Sequence, residues 1–215
     1  MKIVFFGDSV TDACKDRSKE SWYYSIGQGY PNFVAAYLSS KDPLKYEFVN
    51  SGIGGDNVEK LYARVKSDVW SHNPDMVSIL IGINDSYHKF LYPNKNEGIG
   101  IDRFKTVYRS LIEDTRKALP NVKIMLLGPY AVRYLKTDFD WYDEFAGEIR
   151  ERSRIVSELA EEFDLVYVPL QEKLDQAIAG NKVSVWIADG LHPAPAGRLL
   201  IAKAWLEAFE KNYET

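Results

Sequence analysis

The chain has 215 residues, 46% of them apolar and 27% charged, and a net charge of −4. That length supports one good core and an ordinary soluble globular protein, so a single domain over 1–215 is expected. No Lys/Arg cluster stands out, which excludes the electrostatic footprint of a nucleic-acid binder or of a patch for an anionic membrane; neutral substrates fit this charge better than polyanionic ones. Cys14 is the one cysteine, so no intrachain disulfide forms and nothing marks an oxidising compartment. The apolar run 3–6 meets Asp8 too soon for a signal peptide, and no stretch approaches the ~20 apolar residues of a membrane span. A cytoplasmic location is the expectation, and a homo-oligomer is compatible with the sequence.

In chain order, a first strand is predicted over 2–6, followed by Gly7-Asp8-Ser9-Val10-Thr11-Asp12. A long loop (12–29) leads to Pro31, placed to open a helix through Leu38. The second strand is predicted over 46–50 and runs into Asn50-Ser51-Gly52-Ile53-Gly54-Gly55-Asp56. Asp56 or Asn57 would cap a helix reaching Val69. A third strand over 76–81 is followed by Gly82-Ile83-Asn84-Asp85 and a loop over 86–100. Residues 101–119 are amphipathic and stop at Pro120; the fourth strand is 122–127, and a loop over 128–140 follows. Asp140 would cap a long helix over 141–163, the fifth strand is 165–169, and a last helix runs from 195 to 211. The strands are short and rich in Val, Ile and Leu with little alternation, as suits strands buried on both faces. Alternating β and α elements predict a three-layer α/β/α sandwich around a five-stranded parallel sheet.

In such sheets ligands bind outside the carboxyl ends of the strands. Three segments with chemistry follow strands, and a fourth, Asp189-Gly190-Leu191-His192-Pro193, precedes the last helix. All four should meet at one sheet edge. Ser9 is a weak nucleophile that needs a base. The chain has three histidines, His72, His88 and His192, and His192 has an aspartate three residues before it. One turn then aims the Asp189 carboxylate at the imidazole, holding its tautomer and stabilising the imidazolium. Oxyanion donors are expected from the Ser9 N–H, the Gly55 N–H and the Asn84 side-chain amide. Taken singly, Gly7-Asp8-Ser9 and Asn84-Asp85 read equally as turns. Residues 52–55 do not fit G-x-G-x-x-G, and no phosphate-loop Lys and Ser follow. Four independent coincidences at one edge are less economical than one site.

Together these segments resemble the four blocks of the SGNH (GDSL) hydrolase family. Ser9 matches the block-one serine, and Gly55 falls at the glycine of N-x-G-x-x-G-D over 50–56. Asn84 lies in G-x-N-D, and His192 in D-x-x-H-P. The resemblance spans 3 to about 205 and implies a flavodoxin-like sheet and Ser-His-Asp acyl transfer with neither metal nor cofactor. The G-x-S-x-G elbow of α/β-hydrolases is absent. Within the family the chain is most similar to intracellular bacterial acetylxylan esterases. The shared strings are Gly29-Tyr30, the P-D-x-V-S-I-x-I-G-I-N-D string over 74–85, and Ala196-Gly197 after His192-Pro193. Those enzymes remove O-acetyl groups from xylo-oligosaccharides, which implies an oligosaccharide or small-molecule ester as substrate. The chain departs from them just before the catalytic aspartate, with Ala188 where Trp is common and Trp186 two positions earlier.

Aromatics near strand ends are candidates for the substrate pocket: Trp22 with Tyr23 and Tyr24, then Tyr87, Tyr130 and Trp186. The competing reading of each is loop packing. Asp85 is expected to hold the third-block turn, with Asp8 and Asp12 playing similar parts, and Cys14 is expected to be a small buried residue. A lysophospholipase or thioesterase of the same family is an alternative function that calls for a long apolar channel. An inactive carbohydrate-binding module would have lost a triad residue, and a flavin or mononucleotide binder would carry a phosphate loop.

Overall fold

The computed structural model describes residues 1–16, 18, 25–92, 94 and 97–213. Five strands form one parallel sheet: β1 (Lys2–Gly7), β2 (Glu47–Gly52), β3 (Met76–Leu80), β4 (Lys123–Leu127) and β5 (Val166–Val168). Their order is β2-β1-β3-β4-β5. The chain order reverses beside β1, which opens a crevice between the ends of β1 and β3.

Side chains alternate across each strand and feed two separate cores. On one face Ile3, Phe5, Leu80 and Leu127 pack under helices Tyr30–Lys41, Leu170–Ile178 and Pro195–Tyr213. Trp205 is fully buried there and donates its indole N–H to Ser78 Oγ at 2.8 Å. On the other face Val4, Phe6, Ile79 and Leu126 pack under helices Val58–Asp68, Ile101–Ala118 and Tyr142–Glu162. With both faces covered, the strands need apolar residues at nearly every position, which is why they lack polar alternation.

Boundaries differ from the sequence expectation by one or two residues in the strands. Asn57 caps the helix Val58–Asp68 as expected, its side chain accepting the Lys60 N–H at 3.0 Å. Asp140 does not cap the long helix; Trp141 takes the N-cap position and makes no side-chain cap bond. Among the described residues, helices also lie where none was expected: Ser9–Asp12 after β1, Ile83–Leu91 inside the supposed turn and loop, Leu170–Ile178 after β5, and Val183–Trp186. Among the described residues no helix is long and apolar enough to cross a membrane.

Candidate active site

Ser9 opens a four-residue helix, Ser9–Asp12, directly after β1. Asp8 caps it, with Oδ1 accepting the Val10 N–H at 2.9 Å. The turn folds tightly back on the sheet: a Cβ on Gly7 would stand 2.4 Å from the Leu80 carbonyl oxygen and from Thr11 Oγ1. Glycine is therefore required before Asp8-Ser9, and the serine projects from the strand end. Burial pushes the Asp8 carboxyl up to about 7; the Val10 N–H opposes this, and repulsion from Asp85 and Asp56 adds to it.

Asp189 and His192 sit in a short loop just before the helix Pro195–Tyr213. An isolated bridge between Ile187 and Pro193 closes the loop, with the Ala188 N–H donating to the His192 carbonyl at 2.8 Å. Asp189 Oδ1 accepts the backbone N–H groups of Leu191 and His192 at 3.0 and 2.9 Å. Its Oδ2 lies 2.8 Å from His192 Nδ1, and His192 Nε2 lies 2.9 Å from Ser9 Oγ. Burial disfavours the Asp189 carboxylate, but the Lys136 ammonium and the backbone and ring N–H groups of His192 outweigh it and hold the carboxyl well below its ordinary value. Asp189 is thus a fixed anion next to the ring that contacts the serine hydroxyl.

The expected oxyanion donors border the same space. A cleft of about 350 Å³ is lined by Ser9, Gly55, Asn84, Tyr87, Lys136 and His192, among others. Gly55 has φ +81°, a conformation that side chains oppose, and no atom lies within 4 Å of where its Cβ would stand. Asn84 is buried and donates one amide N–H to the Asp56 carbonyl at 2.9 Å, which ties the third block to the second. A second cleft of about 360 Å³ meets the first at Ser9, Val10 and His192, and Arg198 lines its far wall. The five expected residues Ser9, Gly55, Asn84, Asp189 and His192 therefore gather at one place.

The expected aromatics divide. Tyr87 lines the first cleft, and its hydroxyl donates to the Lys136 carbonyl at 3.4 Å. Tyr130 is a core residue and lines neither cleft; its hydroxyl donates to the Leu191 carbonyl at 3.0 Å and supports the Asp189–His192 loop from beneath. Trp186 faces a different groove, beside Lys173, Leu199, Leu200 and Lys203. Its backbone carbonyl accepts the Ala194 N–H at 2.9 Å, so its link to the site is through the loop backbone. Trp22, Tyr23 and Tyr24 lie outside the described residues.

Cys14 is exposed, against the expectation of burial. Two successive left-handed residues, Ala13 at φ 40° and Cys14 at φ 60°, turn the chain away from the core and leave Cys14 on the second cleft. Asp85 holds a neighbouring helix: its Oδ1 accepts the Val58 N–H at 3.0 Å. Burial pushes its carboxyl up to about 6, against the Val58 N–H and the Arg152 charge. No group of three or more His, Cys, Asp or Glu side chains that could hold a metal gathers among the described residues.

Three site residues have no counterpart in the sequence reading. Lys136 places its ammonium 2.8 Å from Asp189 Oδ2. Arg64 binds Asp56 Oδ2 and the Gly7 and Ser51 carbonyls beneath the site. Arg152, wholly buried, pairs with Glu148, which accepts from Ser86 of the Asn84 helix. The Arg64–Asp68 and Arg152–Glu148 pairs, each four residues apart on one helix, left a trace in the sequence.

Residues 5–199 match the GDSL-like Lipase/Acylhydrolase family. An acetylxylan esterase of Geobacillus stearothermophilus is 32% identical over 209 residues, covering 95% of this chain and 92% of that protein. The crystal structure of Axe2, an acetylxylan esterase from the same organism, superposes with a TM-score of 0.85 at 31% identity, covering 96% of this chain and 93% of the other. LAE5, an alpha/beta hydrolase enzyme from the metagenome of Lake Arreo, Spain, superposes with a TM-score of 0.85 at 28% identity, covering 96% and 94%. This chain belongs to the GDSL-like lipase/acylhydrolase family and is a carboxylic-ester hydrolase.

Proposed function

We propose that the protein removes short acyl groups, acetyl above all, from sugar hydroxyls, with Ser9, His192 and Asp189 as its triad. The observation that carries this reading is the unbroken chain from Ser9 Oγ to His192 Nε2 at 2.9 Å and from His192 Nδ1 to Asp189 Oδ2 at 2.8 Å. Ser9 Oγ attacks the ester carbonyl carbon while its proton passes to His192 Nε2. The oxyanion takes hydrogen bonds from the Ser9 and Gly55 N–H groups and from the Asn84 amide. The C–O bond to the alcohol then breaks, and His192 returns the proton to the departing oxygen. Water repeats the sequence on the acyl-enzyme and releases the carboxylate.

The acetyl and sugar assignments rest on likeness to acetylxylan esterases and on the wall beside Ser9, where Tyr87, His88, Tyr92 and Lys136 offer polar and aromatic surface. The test is a panel of acetylated xylo-oligosaccharides and of acetate to octanoate p-nitrophenyl esters, run on wild type and on Ser9→Ala. Acetyl release by the wild type, a steep fall with chain length and an inert Ser9→Ala protein are expected. A Ser9→Ala protein that turned over normally would end the triad, and a preference for octanoate would end the acetyl assignment.

A further inference from the structure

The Asp189 carboxylate is shared between the His192 ring and the Lys136 ammonium. Its Oδ2 lies 2.8 Å from His192 Nδ1 and also 2.8 Å from Lys136 Nζ, while Oδ1 is occupied by two backbone N–H groups. A carboxylate offers about four lone-pair directions, so this one is saturated. Lys136 comes from a separate segment, the short 3-10 turn Leu135–Thr137, which reaches over the triad loop from the far side of the cleft. The backbone of this turn is anchored independently of the ammonium: the Lys136 N–H donates to the Asp189 carbonyl at 2.9 Å, and the Lys136 carbonyl accepts from Tyr87. The side chain itself is 56% exposed. It contributes little packing, so its charge is what acts on the site.

We infer that Lys136 is a positioning residue that acts through Asp189, pinning the carboxylate and drawing on its charge so that His192 remains a free base down to lower pH than an Asp-His pair alone would permit. This inference rests on the triad reading above. An imidazolium is stabilised by the carboxylate at its Nδ1. An ammonium on the same oxygen competes for that charge and repels the imidazolium, which disfavours protonation of the ring. The direction of the Asp189 shift, held down with the Lys136 ammonium as the first of its opposing contacts, agrees with a strong pair. Other groups face the same space: Tyr87 and Tyr130 lie near Asp189, His88 is across the first cleft, and Asp12 and Arg198 line the second. None of these places a charged atom on Asp189 Oδ2, so Lys136 is the cation whose removal isolates the effect.

The experiment is kcat/KM against pH on p-nitrophenyl acetate for wild type, Lys136→Met and Lys136→Arg, at low and high salt. Lys136→Met keeps the length of the side chain and removes the charge. Its acid limb should move to higher pH by about 0.5–1 unit, so that activity on that limb falls about three- to tenfold. Lys136→Arg should keep the wild-type limb. High salt should narrow the gap between wild type and Lys136→Met, because the ammonium is half-exposed. Superposable limbs for wild type and Lys136→Met overturn the inference. So does a loss in KM or kcat with no movement of the limb, which would make Lys136 a substrate contact or a structural residue. Ser9 labelling by a fluorophosphonate separates the two levels: failure to label sinks the triad reading, whereas normal labelling with unmoved limbs sinks only the role of Lys136.

Discussion

Asn84 spends one amide N–H on the Asp56 carbonyl, and an amide has two. The second is the donor that the proposed mechanism needs, held at a fixed place by the first. Asn84→Ala should therefore lower kcat by about 10²–10³ while leaving KM nearly unchanged, as for loss of one oxyanion donor. Steady-state kinetics on p-nitrophenyl acetate decide this; a change confined to KM would remove Asn84 from the oxyanion site. Asp8 bears on stability. Its folded value of about 7 stands above the ordinary 3.8, so the fold favours the protonated carboxyl. The stability this supplies is complete below about pH 4 and is lost as pH rises through about 7. Asp8→Asn keeps an acceptor for the Val10 N–H and cannot ionise. Between about pH 4.5 and pH 8 its Tm should fall less than that of the wild type, by several degrees. Asp85, pushed up to about 6, retains its own contribution in the same direction. Parallel Tm curves for the two proteins would contradict the assignment to Asp8.

At the scale of elements, the site is held by groups that reach between secondary structures. Arg64 on the helix Val58–Asp68 donates Nε to Asp56 Oδ2 at 2.7 Å, Nη1 to the Ser51 carbonyl and Asp68 Oδ2, each at 2.7 Å, and Nη2 to the Gly7 carbonyl at 3.0 Å. Its guanidinium also lies 4.6 Å from the Phe6 ring centroid. One side chain thus ties the ends of β1 and β2 to the loop that presents Gly55. Arg64→Met keeps most of the volume but strands the buried Asp56 carboxylate. A cost of about 3–5 kcal/mol is expected, read as a lowered denaturant midpoint, with activity falling as the Gly55 loop loosens. Arg64→Lys should rescue little, since a point charge cannot serve four acceptors in a fork. A near-normal midpoint in Arg64→Met would show that the clamp is dispensable. The helix Ile83–Leu91 is fixed in the same manner: Ser86 and Lys89 both donate to Glu148 on the helix Tyr142–Glu162, beside the buried Arg152.

At the scale of the molecule, the strand order β2-β1-β3-β4-β5 gathers what the chain disperses: Ser9 and His192 stand 183 positions apart and are in contact. The strands, the two-sided cover of helices and the four blocks were legible in the sequence because each is written locally. Buried parallel strands need uninterrupted apolar runs, helices need caps and amphipathic spacing, and a turn such as Gly7-Asp8-Ser9 needs glycine where backbone meets backbone. The helix Ile83–Leu91 was not legible, because Asn84-Asp85 favours a turn until Val58 and Asp56 occupy their side chains. Tyr130, Trp186 and Cys14 were misplaced for a related reason. Proximity in sequence to a strand end does not say which way a side chain points, and only packing sent Tyr130 into the core, Trp186 to another groove and Cys14 to the surface. The sequence by itself determined the class of fold and the candidate residues for acyl transfer. The tertiary structure alone decided which charges stand behind them: Lys136 on Asp189 and Arg64 on Asp56. The physical reason is that a hydrogen-bonding pattern or an apolar period is carried by neighbours in the chain, whereas an ion pair at 2.8 Å depends on two distant segments arriving at the same point.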